Sequence, residues 1–176
     1  MNLYVIRHGE VNHNLNKIYS NEDEDLNETG VKQAEELREK IKDIQYDIII
    51  SSPLSRAKHT ADIINCKNRD IIIDERLKER DPGSLNGQSL EVTNREEYWN
   101  YYTTIQYGTS ENIKEFFERV YKFLEELKEK DYNSVIIVAH SGVSKGFNAY
   151  FNGIGDGKFL NRGLENCEIK EYKLEK

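Results

Sequence analysis

The chain of 176 residues predicts an α/β fold in three layers, α/β/α, with a mostly parallel central sheet and an antiparallel edge strand near the C-terminus. Three observations carry this. Short apolar runs at Leu3–Ile6, Ile48–Ile50, Ile71–Ile73 and Val135–Ala139 alternate with helical patterns, the signature of strands joined by crossover helices. The run through Val135–Ala139 is apolar at every position, as a parallel strand covered on both faces must be. The segment Cys167–Leu174 instead alternates with a period of two, which suits a half-exposed edge strand. A chain of this length accommodates one domain comfortably, so residues 1–176 are read as a single domain.

Each element can be justified in turn. The first strand ends in Arg7-His8-Gly9-Glu10, and a polar, loop-like stretch through Asn14 follows. Residues 21–25, Asn-Glu-Asp-Glu-Asp, form an acidic run read as a solvated surface. Thr29 is the expected cap of a helix starting at Gly30, whose stripe is Val31, Ala34, Leu37, Ile41 and Ile44. Asp47–Ser52 is the second strand, stopped by Pro53. Leu54–Ala61 opens a helix with Arg56 in its first turn, where free backbone N–H groups favour an anion. After Ile71–Ile73 comes a loop, Leu77–Gly87, punctuated by Pro82, Gly83 and Gly87. Residues 88–110 lose periodicity and carry Tyr98, Trp99, Tyr101, Tyr102 and Tyr107. They read as an irregular cap or specificity segment, or as plain aromatic packing. Ser110 is the expected cap of the longest helix, whose buried face is Ile113, Phe116, Phe117, Val120, Phe123, Leu124 and Leu127. Ser134–Ala139 then leads into His140-Ser141-Gly142, and a helix is expected from about Val143 to Phe151.

Composition excludes several functions. With 32 acidic against 25 basic residues, the net charge is -7. That argues against nucleic acid or an anionic membrane as partner, since both need basic surfaces. The partner is expected to be a small molecule, and the oligomeric state is left open. Cys66 and Cys167 stand in no metal-ligand spacing and suit two free thiols in the cytoplasm. No apolar run is long enough to span a bilayer, and no charged leader with an apolar signal stretch precedes the first strand.

The candidate site follows from where the strands end. In an open α/β sheet, ligands bind beyond the carboxyl ends of the strands. Arg7, His8 and His140 lie there, and Arg56 follows the second strand within a turn. Two histidines, two arginines and helix N-termini in an acidic protein describe an anion site with a possible nucleophile. The plainer alternatives are a surface His8, an Arg7 that only makes a salt bridge, and a Glu79 paired with Lys78 or Arg80. His13 and His59 are read as structural or surface residues.

Five motifs in order resemble the histidine phosphatase superfamily, the phosphoglycerate mutase-like proteins. They are Arg7–Glu10 with Asn14; Leu26–Ala34; Ser51–Ala57 with Thr60 and Ala61; Leu77–Arg80 with Gly83 and Gly87; and Val138–His140. The resemblance implies a phosphatase without metal or cofactor, working through a phosphohistidine on His8. It implies Glu79 as general acid and base, and Arg7, Asn14, Arg56 and His140 around the phosphoryl group. Ser141, where the family usually has glycine, would narrow the pocket or add a hydroxyl donor, and Lys145 stands where an arginine or lysine is common. The family also contains mutases, sugar-bisphosphate phosphatases and α-ribazole phosphatase-like enzymes. The mutases resemble longer chains with more basic residues near the mouth. Here residues 88–110 hold one basic residue, Arg95, against Glu91, Glu96 and Glu97. A second anionic substrate group is therefore expected to find little attraction there. The reading is a phosphomonoesterase of broad or α-ribazole phosphatase-like specificity. A mutase-type phosphotransferase or a catalytically silent phospho-ligand binding protein are its alternatives.

Overall fold

The structure, a computed structural model, describes residues 1–20 and 23–175. Its strands are β1 (Asn2–Arg7), β2 (Ile48–Ser51), β3 (Ile71–Ile73), β4 (Ser134–Ala139) and β5 (Ile169–Lys173). They form one sheet in the order β3-β2-β4-β1-β5. The first four are parallel, and β5 pairs antiparallel with β1 at the edge. The expected mostly parallel sheet with an antiparallel edge is therefore what forms.

Six helices join them: α1 (Asn12–Asn16), α2 (Glu28–Ile41), α3 (Ser55–Ile64), α4 (Arg95–Tyr98), α5 (Ile113–Lys128) and α6 (Ser141–Asn152). On one sheet face, Leu37 and Ile41 of α2 and Ala57, Ala61 and Ile64 of α3 pack on Ile6, Ile49, Ile136 and Val138. On the other, Phe116, Val120 and Leu124 of α5 and Val143 and Phe147 of α6 pack on Leu3, Val5, Ile50, Val135 and Ile137. Because successive strand residues point to opposite faces, both sets in β4 are buried, which accounts for its uninterrupted apolar sequence. All seven residues read as the apolar face of α5 are buried.

Several local expectations are corrected. The cap of α2 is Asn27, not Thr29: its side chain accepts from the Gly30 N–H at 2.8 Å. Asparagine caps at least as well as threonine, so the helix starts earlier and Ile44 falls beyond its end. Likewise Asn112, not Ser110, caps α5 by accepting from the Lys114 N–H at 2.8 Å. Helix α6 begins at Ser141 rather than Val143, immediately after the histidine strand. The stretch read as a loop after Glu10 holds α1, and residues 88–110 hold a 3-10 turn (Leu90–Val92) and α4. These short polar helices are too brief to show a periodic apolar stripe.

Candidate active site

The sheet register brings the two histidines together. In the β1–β4 ladder Ile6 lies opposite Val138 and Arg7 opposite Ala139. The next residues on each strand are His8 and His140, and the His8 N–H donates to the Ala139 carbonyl at 3.0 Å. Their rings face edge to plane, with centroids 5.0 Å apart. On the other side of β4, Ser52 follows the end of β2, and its hydroxyl bonds His140 Nε2 at 2.7 Å.

Both imidazoles are nearly covered, His8 being 3% and His140 1% exposed. Burial, then the guanidiniums of Arg56 and Arg7, hold the His8 pKa well below the usual histidine range. Burial, Arg56, His8 and Arg7 do the same to His140. The His8 ring is also oriented. Its Nδ1 lies 2.6 Å from the Gly9 carbonyl, which can only accept, so Nδ1 carries the proton and Nε2 keeps a lone pair. Gly9 is itself held: its N–H donates to the Thr60 hydroxyl, which donates to the Arg56 carbonyl. Thus α3 places Arg56, which is 1% exposed, and braces the turn after His8 together.

Arg7 donates to the Leu164 carbonyl at 3.0 Å and faces Glu165. Glu79 is fixed by two backbone N–H groups, that of Arg80 at 2.8 Å and that of Gly142, in the first turn of α6, at 2.9 Å. A side chain at 142 would collide with the Glu79 carboxylate and the Trp99 ring. Glu79 makes no ion pair with Arg80 or Lys78. Lys78 pairs with Glu75, and Arg80 stacks on Tyr98 and donates to the Tyr98 and Glu111 carbonyls. Arg119 of α5 braces the same loop through the carbonyls of Arg76, Lys78 and Glu79.

Of these groups, Arg7 and Glu79 line a cleft of about 270 Å³ together with Asn14, Trp99, Ser141 and Lys145, among others; His8 and His140 are not among its lining residues. Arg56 and Glu79 also line an adjoining cavity. A larger cavity of about 370 Å³ between the cap and Arg162 holds no histidine. Tyr98 and Trp99 are both buried, and they pack with Tyr19 and Phe116. They are therefore core residues and cleft wall at once.

The sequence reading missed several contributors. Ser52, Thr60 and Arg119 carry their roles through contacts that span the sheet, and His13 lines the cleft. The acidic run is also more than a solvated surface. Asn21 and Glu22 lie outside the described residues, but Asp23 accepts from the Ser55 N–H and hydroxyl at the start of α3. Glu24 accepts from the Asn12 and His13 N–H groups at the start of α1 and bonds His13 Nδ1. Asp25 bonds His59 Nδ1 at 2.9 Å. Carboxylates at helix N-termini are the one signal that pointed there. Both cysteines are free. Among the described residues no group of three or more His, Cys, Asp or Glu could hold a metal ion, and no helix is long and apolar enough to cross a membrane.

A mostly parallel sheet with paired histidines and arginines at its carboxyl edge defines a phosphate-handling enzyme class. The chain belongs to the histidine phosphatase superfamily, branch 1, whose family model matches residues 3–176. It is a phosphatase-type member, similar to the uncharacterized phosphatase PhoE of Bacillus subtilis. The two are 34% identical over 96% of this chain and 89% of that protein. Among solved structures it resembles the α-ribazole phosphatase of Shigella flexneri (TM-score 0.83, 26% identity, covering 97% of this chain and 89% of that one). It equally resembles the phosphoserine phosphatase of Entamoeba histolytica, solved with 3-phosphoglyceric acid (TM-score 0.83, 25% identity, 97% and 89% covered).

Proposed function

We propose that this chain is a metal-independent phosphomonoesterase that hydrolyses a small phosphorylated metabolite through a phosphohistidine on His8. The observation that carries the reading is the state of His8: neutral, with Nδ1 committed to the Gly9 carbonyl and Nε2 unencumbered. Nε2 attacks phosphorus as the ester P–O bond breaks, and Glu79 delivers a proton to the leaving oxygen. Water then attacks the phosphohistidine, Glu79 takes its proton, and the P–N bond breaks to free phosphate. Arg7, Arg56 and His140 hold the equatorial oxygens, where transition-state charge is spread. Ser52 bonds the Nε2 side of His140, leaving Nδ1, which has no partner among the described residues, to donate to the phosphoryl group. Asn14 and Ser141 supply further donors from the cleft wall. The arginines supply the positive charge that a metal supplies elsewhere. A cleft this small in an acidic protein suits a metabolite rather than a polymer.

The test is hydrolysis of an aryl phosphate with and without a chelator, together with acid-quench trapping of labelled phosphate. Chelator-resistant turnover and label on His8, both abolished in His8→Ala, are expected. Label elsewhere, turnover lost to chelation, or isomerisation of phosphoglycerates faster than phosphate release would each overturn the proposal.

A further inference from the structure

The cleft holds more positive charge than one phosphate uses. Lys145, on α6, is 4% exposed and lines the cleft, yet among the described residues its only hydrogen bond is to the Leu160 carbonyl at 2.8 Å. Among the described residues no carboxylate pairs with it, and its ammonium lies 4.9 Å from the centre of the Trp99 ring. Buried lysines are rarely left without an anionic partner. Burial pushes this one down to about 8, with Glu79 the nearest offsetting charge and Arg95 and Arg7 adding repulsion. Arg95 of α4 lines the same cleft, half-buried, and among the described residues its guanidinium bonds only the Tyr19 hydroxyl. Space beside Lys145 is kept open by Gly163, where a Cβ would collide with both the Lys145 ammonium and the Ser141 hydroxyl. Ser141 lies one helical turn before Lys145 on the same face of α6, directly after His140. The wall thus runs from Arg7, through the Ser141 hydroxyl, to the two cations Lys145 and Arg95.

We infer that Lys145 and Arg95 form a second anion subsite, which takes a carboxylate on the leaving alcohol of the substrate. This rests on the phosphatase reading above and narrows its substrate class to phosphomonoesters of small hydroxy acids or hydroxy amino acids. The acidic residues Glu91, Glu96 and Glu97 do not line this cleft, so the composition of residues 88–110 understates its charge.

The test uses the full chain carrying His8→Ala, so that ligands bind without turnover. Calorimetry compares phosphoserine with phosphoethanolamine, which differ only by the carboxylate, and phosphoglycolate with ethyl phosphate. The carboxylated member of each pair is expected to bind at least tenfold tighter. Adding Lys145→Met is expected to collapse that ratio toward one, while Lys145→Arg keeps it. Arg95→Gln, on the cap, is expected to reduce it severalfold and serves if Lys145→Met does not fold. Equal affinity within each pair, or a ratio that survives both Lys145→Met and Arg95→Gln, would overturn the inference. Failure of the wild type to hydrolyse any ester would instead strike the phosphatase reading, since the binding ratio does not depend on turnover.

Discussion

His8 and His140 come from the same design, a buried apolar strand running into a histidine and then a glycine, and they sit side by side on one ladder. They are nonetheless presented differently. His8 is followed directly by Gly9, whose carbonyl takes Nδ1 at 2.6 Å and leaves Nε2 without that bond. His140 is followed by Ser141, the first residue of α6, and its Nε2 is bonded by Ser52 from the neighbouring strand. The lesson is that one intervening residue decides which ring nitrogen the protein itself engages. In the mechanism proposed above, the local carbonyl would fix the nucleophile and the hydroxyl from across the sheet would fix a donor.

That contrast can be broken most strongly by removing each ring. His140→Ala is expected to lower kcat by about 10²–10³, the scale of losing one transition-state donor, while labelled phosphate still accumulates on His8. Label that survives in His8→Ala and vanishes in His140→Ala would reverse the two roles. A subtler cut is Ser52→Ala, which frees the His140 ring without removing it. It is expected to cost about tenfold in kcat with little change in KM, an effect of positioning. Steady-state kinetics on one aryl phosphate would measure it, and an unchanged kcat would mean that packing alone orients the ring.

The smallest effect is on stability, where the two rings should behave alike. Both have pKa values depressed in the folded state, by burial first and then by the arginines. Below about pH 6.5 the unfolded chain binds protons that these folded histidines refuse. Stability therefore falls as pH drops, by about 1.4 kcal/mol per pH unit for each histidine, until the folded pKa values are reached. Denaturant titrations of the wild type and of His8→Asn between pH 7 and 5 should show a shallower acid loss in the variant. Equal slopes would mean that His8 is charged in the native state.

The sequence made the phosphate end of the cleft legible, because its groups sit at strand ends whose apolar runs are plain. Residues His8, Arg56 and His140 needed only the strand order to be brought together. The opposite end was opaque for a physical reason. Glu79 is oriented by Gly142, 63 positions away, and its loop is braced by Arg119, 40 positions beyond Glu79. No local pattern encodes either contact. Lys145 stands out in the sequence only through the resemblance, as a position where a basic residue is common, and its burial and its contact with Trp99 appear only in the fold. The caps were missed for a smaller reason, since Asn27 and Thr29, like Ser110 and Asn112, are neighbouring residues of similar capping strength.

The order of strands has a consequence for how the protein is made. Strand β1 is made before the other four strands of the sheet, yet its two neighbours, β4 and β5, are the last two of the five in chain order. At typical synthesis rates it waits roughly seven to twenty-six seconds for β4. During that time an apolar strand with two free edges must be kept from pairing with other nascent chains. An interior strand of the finished sheet is thus its most vulnerable part at birth, and neither histidine can meet the other until β4 has been made.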